Sequence, residues 1–239
     1  MTKPIQKVDI LAIGAHPDDV ELSCSGTLLK HIANGKTVAL VDLTQGELGT
    51  RGSAPLRLQE AEASRMLMGA VDRINLDLGD GFFNQKKENL LAVIRAIRLF
   101  QPEVILANAL DDRHPDHGRG ATLVSRAAFL SGLRKIETDD LPAWRPKAVY
   151  HYIQDEHRHP DFVVDISDYL EGKMDLIKCF SSQFFDPNST EPASPISGAD
   201  FFDYIKSKGK LFGRPIGAEY AEGFNVSRPI GVEDMMSLL

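Results

Sequence analysis

Two short stretches of this sequence gather the side chains that could do chemistry: Ala-His-Pro-Asp-Asp at residues 15–19 and Asp-Asp-Arg-His-Pro-Asp-His at residues 111–117. Adjacent carboxylates repel one another unless something positive lies beside them. Together the stretches offer His16, Asp18, Asp19, His114, Asp116 and His117. Imidazoles mixed with carboxylates suit zinc or a similar divalent first-row cation, and a cation would answer the repulsion. Residues at i and i+3 share a face where a helix begins, which nominates His16 with Asp19 and His114 with His117. Four protein ligands make a closed structural site, whereas three and a water make a catalytic one. Spacing leaves both open. A lone His-Pro-Asp-Asp reads more simply as a turn whose Asp caps the next helix. The recurrence of His-Pro-Asp, each time after a strand-like run, favours the metal.

The flanking pattern says how such distant stretches would meet. Val8 to Ala15 is a nearly continuous apolar run, the mark of a strand buried on both faces. A helix is expected from Val20 to Asn34, stopped by Gly35. "TVALVDLT" reads as a second strand, Pro55 opens a helix that Gly69 closes, and "RINLDL" reads as a third strand. Glu88 to Phe100 has helical spacing and ends before Pro102; "EVILANA" is a fourth strand, Ala121 to Leu130 a fourth helix, and "KAVYHYI" a fifth strand. This alternation predicts an α/β, Rossmann-like, doubly wound and mostly parallel sheet of order 3-2-1-4-5 with helices on both faces. Strands one and four are then neighbours at the switch point, where their carboxyl ends bound a ligand crevice. After Gln154 the rhythm loosens into "DFVVDIS", a helix from Tyr169 to Ser182, a Pro-, Ser- and Asn-rich loop from Asp186 to Gly198 that is a lid candidate, a short helix from Asp200 to Phe212, and "YAEGF". The expectation is a single domain over residues 1–239, with a core at 1–154 and a C-terminal elaboration at 155–239.

Composition narrows the partners. With 239 residues, 43% of them hydrophobic, the chain can bury a large core. A formal net charge of −7 and a pI near 5.5 repel nucleic acid and anionic lipid, and no Lys/Arg run reverses this locally. Two cysteines, Cys24 and Cys179, make no disulfide framework and suit a reducing cytosol. "VDILAIGA" is too short to span a membrane and lacks a cleavage-site pattern. The expectation is a cytoplasmic protein with no nucleic-acid or membrane partner.

The paired motifs resemble those of the PIG-L, or LmbE-like, family of metal-dependent N-deacetylases, in which AHPDD and HPDH recur. Over essentially the whole chain, "TQGELGTRGSAPLRLQEA", "DDRHPDH", "SSQF" and "YAEGF" resemble the bacterial branch that deacetylates the glucosaminyl-malate precursor of bacillithiol. The resemblance implies His16, Asp19 and His117 as ligands of Zn²⁺, with Fe²⁺ or another divalent first-row metal as a substitute. It implies Asp18 as general base, His114 as electrophilic and acid partner, Asp116 as the group that orients His114, and Arg57 in the substrate pocket. Ser23 stands where many relatives have Gly. Relatives of this kind are commonly oligomeric, so a homo-oligomer acting on a small N-acetyl sugar is expected.

Other residues carry weaker expectations. Arg57 sits early in a helix, where the plain reading is a solvated charge pairing with Glu60 or Glu62. "GELGTRG", residues 46–52, lacks P-loop spacing and reads as a pocket-rim loop from which Glu47 and Arg51 reach substrate. Near the fifth strand, Tyr152 or His151 is placed to approach the site, and Tyr220 is a pocket-lining candidate. Asp111 and Asp112 read as loop and cap residues. The alternatives are a deacetylase of another N-acetyl sugar, such as a chitin fragment or antibiotic precursor; a non-haem Fe(II) oxygenase with the same ligand types; and a non-catalytic Rossmann-like binding protein with a structural metal.

Overall fold

A computed structural model describes residues 4–184 and 189–238. Its centre is one seven-stranded sheet built from β1 (Ile10–Gly14), β2 (Val38–Asp42), β3 (Asp72–Asn75), β4 (Val104–Ala107), β5 (Ala148–Tyr152), β6 (Phe162–Asp165) and β7 (Ala221–Val226), in the order β3-β2-β1-β4-β5-β7-β6. The first five strands pair in parallel, in the expected order. β7 and β6 extend the sheet antiparallel, with Tyr152 opposite Phe224 and Val163 opposite Gly223. "YAEGF" is therefore largely strand β7, inserted between β5 and the edge strand β6, and its short length and internal Gly223 conceal it from periodicity.

Helices cover both faces: α1 (Asp19–Ala33), α2 (Ala54–Met68), α3 (Lys87–Phe100), α4 (Pro115–Ser131), α5 (Leu170–Lys178) and α6 (Phe201–Gly213). Alternate strand residues face opposite layers. Leu11, Ile13, Val41 and Ile105 pack with Val93, Ile97 and Val124 of α3 and α4. Ile10, Ala12, Leu40 and Leu106 pack with Val20, Cys24, Leu28 and Leu176 of α1 and α5.

Two expected boundaries shift. α4 begins at Pro115 rather than Ala121, because His114 is the N-cap and proline is tolerated at the first helical position. Its first turn carries polar residues, so the apolar stripe begins later than the helix. The helix expected over Tyr169–Ser182 is a short 3₁₀ turn at Ser167–Tyr169 followed by α5, which ends at Lys178. Of the lid candidate, residues 186–188 lie outside the described residues.

Beneath the switch point lies a buried ionic network. Arg73 on β3 donates from Nη1 to Glu21 Oε1 at 2.7 Å, and from Nε and Nη2 to the Asp42 carboxylate, both at 2.8 Å. Breaking a buried network leaves charge without a partner. Arg73→Met is expected to lower unfolding free energy by about 3–5 kcal/mol in urea titrations, and a loss under about 1 kcal/mol would show that Glu21 and Asp42 tolerate its absence.

Candidate metal and catalytic site

The carboxyl ends of β1 and β4 deliver the two motifs to one crevice, as the strand order requires. β1 ends at Gly14, and the next residues swing His16 and Asp18 over the sheet before α1 starts at Asp19. β4 ends at Ala107, and its loop leads to the N-cap His114 and the first turn of α4. The imidazoles of His16, His114 and His117 form a triangle, with ring centroids 4.7, 5.2 and 5.7 Å apart.

Asp19 sits between two of these rings. Its Oδ1 is 3.2 Å from His117 Nε2 and its Oδ2 is 3.7 Å from His16 Nδ1. The carboxylate is held in place by the His16 backbone N–H at 2.9 Å, by Asn108 Nδ2 at 2.9 Å and by Gln154 Nε2 at 3.1 Å. The far nitrogens of the same imidazoles meet other carboxylates: His16 Nε2 lies 3.0 Å from Asp80 Oδ1, and His117 Nδ1 lies 2.5 Å from Asp112 Oδ2. Such outer carboxylates fix which nitrogen faces inward. Among the described residues, candidate ligand atoms fall within 4.8 Å of one another in two groups, His16 with His114 and His117, and His16 with Asp80 and Asp116.

Asp18 is separate from this inner ring. Its Oδ2 accepts from Arg57 Nη2 at 2.9 Å, and Arg57 Nη1 donates to Gly46 O at 3.1 Å. Arg57 is only 4% exposed, so it is not the solvated helix charge of the plain sequence reading. Gly46 permits the approach: its φ is +64°, and a Cβ there would stand 2.0 Å from Arg57 Nη1.

The electrostatics follow from burial among carboxylates. Burial raises Asp18 to about 6, against the pull of Arg57 and with reinforcement from Asp19. Burial opposes charge on His16, yet Asp116, Asp19 and Asp80 hold it well above the ordinary imidazole range. His117 is likewise opposed by burial, but Asp19 and Asp112 lift it to about 9. His114 is lowered by burial and then by the two neighbouring imidazoles. The neighbouring carboxylates thus favour the charged forms of His16 and His117, whereas His114 is biased towards its neutral form. Its Nδ1 faces the Asp116 backbone N–H at 3.3 Å, which leaves Nε2 as the protonated nitrogen.

A pH effect follows. Because His117 has a folded pKa raised above its unfolded value, its proton stabilises the fold fully below about 6.5, and that stability is lost as pH rises towards about 9. Chelator-treated protein is expected to lose melting temperature over that window. A flat profile would remove the ionic account of the cluster.

The cluster opens into a cavity of about 420 Å³, lined by His16, Asp18, Asp19, Arg57, Asp80, His114 and His117 from the core and by Phe201, Tyr204, Ile205 and Lys208 from α6. Ile196, from the lid-candidate loop, also lines it. Several expectations are corrected. The Asp116 carboxylate does not orient His114: it accepts from Gly81 N at 2.8 Å, pairs with Arg119, and stands 3.5 Å from His16 Nε2. Tyr152 is fully buried and donates its hydroxyl to Ile13 O at 2.9 Å, so it is a core residue. His151 is also buried, held by Asn108 O at 2.8 Å and by Ser125 Oγ at 3.2 Å. Tyr220 packs against the α5–α6 apolar cluster, with the Lys210 ammonium 5.6 Å from its ring centre. Glu47 and Arg51 brace the rim loop rather than the cavity, Glu47 by accepting from Asp80 N at 2.7 Å and Arg51 by donating to Ser189 Oγ at 2.7 Å. Between them, Leu48, Gly49 and Thr50 are the rim residues that line it. Asp112 is more than a loop residue, since it holds His117. Asp80, Asn108 and Gln154 also belong to the site and carry no sequence signal beyond their place after a strand.

The chain has counterparts among known proteins. Residues 11–128 match the PIG-L family, described as GlcNAc-PI de-N-acetylase. The diacetylchitobiose deacetylase of Thermococcus kodakarensis is 28% identical over 226 residues, 90% of this chain and 81% of that protein. The crystal structure of a conserved protein from Thermus thermophilus superposes with a TM-score of 0.85 at 30% identity, over 94% of this chain and 97% of that one. The 4-oxalmesaconate hydratase of Pseudomonas putida is 25% identical over 195 residues, 72% of this chain and 73% of that protein. Among the described residues, no helix is long and apolar enough to cross a membrane.

Proposed function

We infer that this chain, which belongs to the PIG-L family, is a zinc-dependent N-deacetylase of N-acetylglucosaminyl compounds, and specifically of N-acetylglucosaminyl malate on the route to bacillithiol. One observation carries the reading: a buried carboxylate, Asp18, raised to about 6 and held by Arg57, borders an imidazole–carboxylate cluster at the floor of a substrate-sized cavity. We take residues 1–239 as one catalytic unit.

The residues present fit a divalent cation. Asp19 bridges His16 Nδ1 and His117 Nε2, and both imidazoles turn their remaining nitrogens to Asp80 and Asp112. This arrangement supports His16, Asp19 and His117 as the ligands, with outer carboxylates that raise imidazole basicity. When bound, the cation acts as a Lewis acid and lowers the pKa of water towards about 7.

The chain's own groups supply the rest. Asp18 accepts the proton lost by the attacking water, its carboxylate kept in place by Arg57. The water oxygen bonds to the acetyl carbonyl carbon, and the carbonyl π electrons move to oxygen. Neutral His114 offers Nε2–H to that oxygen, a hydrogen bond that strengthens as negative charge develops. Carbon–nitrogen cleavage then releases acetate, and Asp18 returns its proton to the leaving amine. This division makes His114 a hydrogen-bond donor and leaves proton transfer to Asp18.

A second reading within the same chemistry is an N-acetyl chito-oligosaccharide substrate, favoured by the 28% identity to a diacetylchitobiose deacetylase. Metal-reconstituted turnover on N-acetylglucosaminyl malate, diacetylchitobiose and N-acetylglucosamine, read as free amine, separates them. Preference for the malate glycoside supports the bacillithiol reading, whereas equal rates on all three count against it.

A further inference from the structure

The cations that line the cavity are not equivalent. Arg57 is paired with Asp18, and Arg113 with Asp155. Lys208 lines the same cavity from α6, half-buried, and among the described residues no carboxylate lies within ion-pair distance of its ammonium. Its partners are two backbone carbonyls just past β5, Ile153 O at 3.2 Å and Gln154 O, and the Tyr204 ring, whose centre is 6.0 Å away. An ammonium has three donors, so one remains. Across from α6, Ser23 on α1 lines the cavity as well; it is 3% exposed, and its hydroxyl has no hydrogen-bond partner among the described residues. A buried hydroxyl without a partner and a partly desolvated ammonium with no carboxylate partner each carry a free-energy cost that an anionic ligand would relieve. Burial and then the nearby Lys173 pull the Lys208 amine down to about 8, against the weaker opposing pull of Asp112, Asp155 and Glu222.

Lys208 also sits one link from the cluster. Gln154, whose carbonyl it holds, reaches with its side chain to Asp19 Oδ1 at 3.1 Å and to His117 Nε2 at 3.4 Å. A sugar bound with its N-acetyl group over the cluster and its outer substituent towards α6 would bring that substituent to Lys208. The α6 stripe Phe201, Tyr204, Ile205 and Lys208 has the i, i+3, i+4, i+7 spacing of one helix face.

We propose that Lys208, with the Ser23 hydroxyl, forms a subsite for a carboxylate on the aglycone of the substrate, and so selects anionic over neutral N-acetylglucosaminides. This deepens the reading given above and rests on it for the orientation of the sugar. Equilibrium binding tests it apart from turnover: calorimetric titration of the metal-loaded wild type, Lys208→Met and Lys208→Arg with glucosaminyl malate and with methyl glucosaminide. The expected result is tighter binding of the malate glycoside by wild type, a fall of about tenfold or more in that preference in Lys208→Met, and substantial retention in Lys208→Arg. Thermal melts and zinc content of each variant establish that the fold and the metal site persist. An unchanged preference in Lys208→Met overturns the subsite even where acetate release confirms deacetylation; Lys208 would then serve only to hold the two carbonyls just past β5. Absence of any preference in wild type overturns it as well. If wild type shows the preference and loses it in Lys208→Met but releases no acetate, the subsite stands and the deacetylase reading fails.

Discussion

Asp18→Asn is expected to cut turnover about 10²- to 10⁴-fold while the bound metal stays in place. The amide keeps the shape of the carboxylate and its acceptor oxygen towards Arg57 Nη2, so the loop has no reason to move. What disappears is the capacity to take a proton. Asp18 stands outside the inner ring of His16, Asp19 and His117, which is why metal content and catalysis should separate at this position. Its raised value of about 6 also bounds the pH profile: the acidic limb of kcat should lie at or below about 6, because a cation beside Asp19 can only pull Asp18 lower. A loss of turnover smaller than about tenfold with full metal occupancy would remove Asp18 from the proton path. It would also favour the reading in which the metal is purely structural.

Removal of the metal is the second large effect. Chelation should abolish turnover, and one equivalent of Zn²⁺ should restore it, since Asp18 and His114 alone provide no Lewis acid. The outer carboxylates make the prediction specific to this chain. Asp80 faces His16 Nε2 and Asp112 faces His117 Nδ1, so Asp80→Asn and Asp112→Asn should each weaken metal affinity by about 10- to 100-fold. Titration against a competing chelator reads this directly. If the two variants bind metal as wild type does, the ring orientation is fixed by something other than these contacts.

Much of this site could be read from the order of residues, and the reasons are physical. Buried parallel strands announce themselves as apolar runs, and the handedness of their crossovers leaves few orders open, so the meeting of residues 15–19 with residues 111–117 followed from topology. Telling Asp18 from Asp19 did not follow. Both are adjacent and both are buried; only the resemblance, and then the Arg57 contact, separates them. Asp80 and Asp112 were illegible because a carboxylate that supports an imidazole from a distant loop needs no spacing of its own. Tyr152 misled for the opposite reason: its place at the end of β5 suggested the crevice, but alternation along the strand turns its side chain into the α1 layer. The Asp116 carboxylate was assigned to its sequence neighbour His114, whereas the first turn of α4 points it back towards Gly81 and His16.

The central claim is that this cluster hydrolyses an N-acetyl amide. The most direct test is to incubate the zinc-loaded protein with N-acetylglucosaminyl malate and quantify acetate and free amine in the same sample, before and after chelation. Equal amounts of the two products, formed only with metal present, are the predicted result. Metal-loaded protein that releases no acetate, yet hydrates 4-oxalmesaconate, the compound its hydratase relative is named for, would contradict it.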